Sequence, residues 1–165
     1  MKKSPPPTHQ DLRRFALACY ARPGVESACL ELQAAGADVC LLLAGAWLQR
    51  RGIACTAARL AALKQISERW QAEVVKPLRN LRQAWREEAQ KDEALRTLRE
   101  QVKQVELEAE FTQLDRLQQA ARQWPAERES GDWLGALCAS LPGDTRAPLE
   151  HLRRAAMALE TDRDG

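Results

Sequence analysis

Histidine occurs only twice in these 165 residues, as His9 and His151. That scarcity removes the side chain most used for proton transfer near neutral pH and for binding transition metals. Neither histidine lies in a Glu-x-x-His or His-Glu-x-x-His pattern, which excludes helical di-iron and zinc-peptidase sites. Glycine is sparse too, at eight residues. It builds no Gly-x-Gly-x-x-Gly or Walker-type loop, the backbone cradles for phosphate, and no Gly-x-Ser-x-Gly turn for a nucleophile. The five cysteines, Cys19, Cys29, Cys40, Cys55 and Cys138, are odd in number and contain no Cys-x-x-Cys pair. Their apolar surroundings fit reduced, buried thiols better than a disulfide framework. No charge-free apolar run exceeds the ten residues from Val39 to Leu48, about half of what a helix needs to cross a bilayer. A net charge of +2 is too small by itself to imply nucleic acid or a membrane surface. No catalytic, cofactor-binding or metal-binding residue is assigned, and no cofactor is expected.

What the chain does have is leucine and alanine in a composition 45% apolar and 29% charged, with few β-branched residues. This favours helix over strand. Thr8 is placed to cap a first helix, with Asp11 at its third position and Leu12, Phe15 and Cys19 on one face. Arg22-Pro23-Gly24 makes a turn, and Val25 to Ala35 a second helix stopped by Gly36. Asp38 caps a third that runs through the apolar stretch to Gly52. Thr56 then starts a long helix with Leu63, Ile66, Trp70, Val74, Leu78, Leu81 and Trp85 at steps of three and four, a near coiled-coil seam. Pro77 predicts a kink in it. A second long helix runs from about Asp92 to Trp124. Its apolar stripe passes from Leu95, Leu98, Val102 and Val105 to Leu107, Phe111, Leu114 and Leu117, rotating near Glu106.

The expected fold is all-α: short N-terminal helices packed on a long antiparallel helical hairpin, with a variable helical C-terminal tail. Residues 1–7, rich in proline, are expected as a disordered tail, 8–124 as the helical domain, and 125–165 as a helical appendage. Met1-Lys2-Lys3 is followed by Ser4-Pro5-Pro6-Pro7 where a signal peptide needs an apolar segment. The expected location is therefore cytoplasmic.

Charge separates the long helices. Residues 59–91 carry eight basic and four acidic side chains, whereas 92–116 carry four basic and seven acidic. Arg69, Lys76, Arg79, Arg82 and Arg86 share one arc of about 140°, a face that could follow phosphates. No stacking aromatics interleave with it, as single-strand binding would ask. Glu106 and Glu110 are like charges at i,i+4, which repel unless neutralised. Arg79 and Arg82 on the preceding helix are their natural partners in a structural ion-pair network.

Beyond these patterns, Phe15-Ala16-Leu17, Tyr20-Ala21-Arg22-Pro23-Gly24-Val25, Ala28-Cys29-Leu30, Leu32-Gln33, Gly36-Ala37-Asp38-Val39, Leu41-Leu42-Leu43 and Trp47-Leu48 form a recognisable block. With Trp70, Val75, Pro77-Leu78-Arg79, Arg82 and Glu106-Leu107-Glu108-Ala109-Glu110, it resembles an uncharacterised bacterial family of short proteins catalogued as a domain of unknown function. The resemblance spans roughly residues 11–120. Cys40 stands where that family usually has a polar residue, and the resemblance implies no activity.

Three functions follow as expectations. The first is a non-catalytic helical interaction module or adaptor with a protein partner and no membrane. The second is an RNA- or ribosome-associated protein using the basic face. The third is a small-ligand binder or enzyme with a pocket between the N-terminal helices and the hairpin, with Trp47 and Trp70 as candidate walls.

Overall fold

The computed structural model describes residues 11–127 and 131–159. The 1–7 tail, the Thr8 cap and His9 lie outside them, as do 128–130 and 160–165 of the C-terminal segment. Over the described residues the fold is all-α; its one β contact there is a single bridge between Ile53 and Ala126.

Helix α1 (Leu12–Tyr20) begins later than the spacing predicted. Asp11, expected inside the helix, is itself the N-cap and accepts from the Arg13 amide. Helix α2 is Val25–Ala34 and α3 is Val39–Arg50. Gly36, at φ 105°, closes α2. The Ala37 amide then bonds back to the Leu32 carbonyl at 3.0 Å, a left-handed termination open to glycine without a Cβ penalty. Every residue of α3 from Cys40 to Leu48 is buried. A helix apolar all round can only be a central one, and α3 packs against α1, α2, α4, α6, α7 and α8.

Helix α4 (Ala57–Trp70) is capped by Thr56 and passes through a π-helical turn, Gln71–Val75, into α5 (Lys76–Ala84). A 3₁₀ turn at Glu88–Gln90 precedes α6 (Glu93–Ala121), capped by Asp92. Cross-links between the two long helices run in opposite order along the chain. Trp70 Nε1 donates to the Ala109 carbonyl at 2.8 Å, Arg79 bonds Glu106, and Arg99 Nε donates to the Arg82 carbonyl at 2.9 Å. The helices are therefore antiparallel.

The π turn corrects the expected seam. Its Lys76 amide bonds the Gln71 carbonyl, five residues back, so the turn holds one residue more than α-helix would. This rotates everything after it by about 100° relative to a regular helix. It also falls directly before Pro77, whose missing amide can take no part in the ladder. The irregularity that proline predicted is present, one turn earlier and as a wide turn. Leu63, Ser67, Gln71 and Val75 form the buried stripe, while Leu81 is exposed. On α6, Glu106, Ala109 and Gln113 face inward, whereas Leu98, Val105 and Leu107, expected in the stripe, are exposed.

Helices α7 (Trp133–Cys138) and α8 (Arg146–Ala158) lie in the segment set apart as an appendage. They place Trp133, Leu134, Leu137, Leu149 and Leu152 in the same hydrophobic cluster as α1–α3. Helix α8 packs along α2, and its His151 Nε2 lies 2.8 Å from the Pro23 carbonyl at the α1–α2 turn.

Candidate site between the first three helices and the hairpin

Where the α2–α3 turn meets the π turn and α6, polar side chains enter the core. Asp38 is held in place by its role as N-cap. One carboxylate oxygen accepts the Leu41 amide at 3.4 Å and the other accepts Gln113 Nε2 at 2.7 Å. Gln113 is fully buried, and its Oε1 accepts Gln71 Nε2 at 2.8 Å. The chain Asp38–Gln113–Gln71 thus ties α3, α6 and the π turn together. Gln71 faces inward on the same side of α4 as Leu63 and Ser67, and the extra residue of the turn returns Val75 to that face. Ser67, one helical turn earlier, is buried with an unpartnered hydroxyl.

The same end of the hairpin holds the ion-pair network. Arg79 Nε donates to Glu106 at 3.1 Å and its Nη2 to Glu110 at 3.4 Å. Arg82 Nε and Nη2 donate to the two oxygens of Glu106 at 2.5 and 3.2 Å. Burial pushes the Glu106 carboxyl up, but the hydrogen bonds and charges of Arg82 and Arg79 outweigh it and hold it below its usual value. For Glu110, burial raises the pKa; Arg79 opposes this, and the Glu106 charge adds to it. Burial also raises Asp38, against the Gln113 and backbone hydrogen bonds.

The structure therefore brings Arg79, Arg82, Glu106 and Glu110 to one place. The rest of the basic face is dispersed. Arg69 pairs with Glu73 on the surface at 3.2 Å, Arg86 is exposed, and Lys76 lines an adjoining cleft with Lys64 and Ser67, to which Asp38, Gln71 and Arg79 also contribute.

Beside the network lies a cavity of about 270 Å³. Its walls include Ala16, Leu17, Leu43, Leu107, Phe111 and Leu114, and its polar lining is Tyr20, Gln33, Asp38, Gln71, Arg79 and Glu110. Leu17 and Leu107 are exposed at 52% and 42%, so the apolar lining continues to the surface. Trp47 and Trp70 are not among the lining residues. Trp47 is buried beneath the Arg51 guanidinium, and Trp70 lies under Arg116. Cys40 lines the cavity, its thiol directed at the Glu110 carbonyl at 3.9 Å. Burial raises its pKa well above the ordinary thiol value, which opposes thiolate formation. Among the described residues no cluster of three or more His, Cys, Asp or Glu side chains could hold a metal ion, and no helix is long and apolar enough to cross a membrane.

Sequence reasoning named Asp38 as a cap and Arg79, Arg82, Glu106 and Glu110 as a network. It missed Gln71 and Gln113, which join the two. The one available signal was the i,i+4 series Leu63, Ser67, Gln71, Val75, hidden because half of it is polar. No curated protein and no solved structure matches this chain significantly. Residues 11–117, from the α1 cap to the last turns of α6, match the family described as "Protein of unknown function (DUF2390)", and the chain belongs to that family.

Proposed function

We propose that this protein binds a small molecule with an apolar body in the cavity between α1, α3 and α6. The observation that carries the reading is the lining itself: apolar walls with Asp38, Gln71, Arg79 and Glu110 converging on one space. A largely apolar concavity with a few fixed polar groups is the usual form of a ligand site. Asp38 and Gln71 are joined through Gln113, and Glu110 is tied to Arg79, so the polar groups are positioned before any ligand arrives. The thiol of Cys40 is unsuited to nucleophilic attack, which favours binding over catalysis. Pairing of Arg79 and Arg82 with glutamates leaves the basic face without its central cations and weighs against a nucleic-acid partner.

Titration with hexanol, followed through side-chain methyl resonances, tests this. Saturable shifts are expected at Val39, Leu43 and Leu114 and are expected to vanish in Val39→Trp, which fills the space. Shifts that are scattered over the surface or never saturate would remove the reading.

A second reading, a protein partner on the hairpin, is favoured by the exposure of Leu81, Leu98 and Val105 at 40%, 49% and 50%. A partner co-purified from native cells should be lost in the Leu98→Lys, Val105→Lys double variant with thermal unfolding unchanged. Retention of the partner by that variant would dismiss this surface.

A further inference from the structure

We infer that the cavity takes an organic amine, with its aliphatic or aromatic body against the apolar walls and its protonated amino group at Glu110. This rests on the ligand-binding reading above and names the chemistry of the ligand.

The charge distribution carries the inference. Three carboxylates, Asp38, Glu106 and Glu110, meet two guanidiniums, Arg79 and Arg82. Glu106 accepts from both guanidiniums. Asp38 is held by neutral donors, the Gln113 amide and the Leu41 backbone. Glu110 is left with one contact, the 3.4 Å bond from Arg79 to its Oε1. Among the described residues its Oε2 accepts no hydrogen bond, and its side chain is 32% exposed while lining the cavity. Of the two carboxylates that line the cavity, Asp38 has both oxygens engaged and Glu110 has one open, so Glu110 is the one that a ligand can reach.

Partly buried charge is costly unless paired. A ligand ammonium would supply the missing partner through a charge-assisted hydrogen bond. The opposite ligand charge fits poorly, since Arg79 is already committed to two glutamates and an anion would sit against Asp38 and Glu110. A bare metal ion fits poorly as well, because much of the lining is leucine and phenylalanine, which offer it no ligands. The apolar walls and the open carboxylate together call for a molecule with both a hydrocarbon body and a cationic head.

Three probes of equal length separate the possibilities in the full chain: hexylamine, hexanol and hexanoate, each followed on the Val39, Leu43 and Leu114 methyl groups. Hexylamine is expected to bind at least about 10-fold tighter than hexanol, with hexanoate weakest, as a charge-assisted hydrogen bond would give. Glu110→Gln keeps the side-chain shape and should bring hexylamine to within about threefold of hexanol by removing the charged acceptor. If hexanol saturates and hexylamine is no tighter, the amine is overturned while the pocket reading stands. Undiminished preference for hexylamine in Glu110→Gln overturns the amine at Glu110 in the same way. If none of the three saturates, the pocket reading falls and the amine falls with it. The comparison of probes on the wild-type chain decides the matter even if the variant fails to fold.

Discussion

Trp133→Ala is expected to destabilise the protein by about 3–5 kcal/mol, the usual cost of emptying a fully buried tryptophan site. In a chain of this size that lowers Tm by about 10 °C. The indole is 0% exposed. Its ring stacks on Trp124 with centroids 6.1 Å apart, and its Nε1 donates to the Ile53 carbonyl at 2.7 Å. Truncation would therefore leave both a cavity and an orphaned carbonyl. The surroundings cannot readily collapse into the gap. Gly45 of α3 already approaches α7 so closely that a Cβ there would lie 2.6 Å from Leu137 Cδ1, and the Glu127 amide is pinned to the Gly52 carbonyl at 2.7 Å. Urea unfolding of the full chain measures the effect. A loss under about 1 kcal/mol, the range of an exposed site, would mean that α7 is not part of the cooperative core. The test bears on domain organisation, because Trp133 lies beyond the family match at residues 11–117 and yet fills the centre of the fold.

The second large effect is at Glu106. Glu106→Ala should cost about 2–4 kcal/mol, somewhat below the usual value for breaking a buried pair because the guanidiniums it abandons retain some solvent. Arg79 and Arg82 are about a fifth exposed and Glu106 only 8%. The milder variant Glu106→Gln should cost less, and its cost should depend on pH. The folded-state pKa of Glu106 lies below the ordinary 4.5. As acid is added, the unfolded chain protonates at this position first, so the carboxylate's contribution is complete above the unfolded value and is lost as pH falls through the depressed folded one. Glu110 and Asp38 act in the opposite sense. Their folded pKa values are raised, so protonating them in acid relieves a burial cost. Total stability is therefore a poor readout, and the difference between wild type and Glu106→Gln is the quantity to follow. That difference should be full at neutral pH and shrink below 4.5. A gap that stays constant across the range would show that Glu106 acts through its shape and not through its charge.

Local physics settled much of this molecule in advance. Helix class follows from leucine and alanine, the caps from Asp38, Thr56 and Asp92, and the burial of α3 from an apolar run that no other environment would tolerate. The pairing of Arg79 and Arg82 with Glu106 and Glu110 was legible because like charges at i,i+4 require a counter-charge and the adjacent helix offers one. The π turn was not legible in the same way. Pro77 announces an irregularity, but whether the chain bends, breaks or widens depends on what the following helix presents to it. Here Gln113 accepts from Gln71 at the start of the turn, and the residue inserted after Gln71 rotates the helix that follows. That single rotation exposes Leu81, buries Val75 and helps set the polar lining of the cavity.

The sequence by itself thus determined the helical class, the caps at Asp38 and Thr56 and the charge pairs, because those depend on residues within one or two turns or on an obligatory neutralisation. Only the tertiary structure decided which helix faces are inside, that α7 and α8 complete the core, and that Glu110 is the carboxylate left open. Those outcomes depend on how three or more elements meet, and a periodicity along one helix does not record its neighbours.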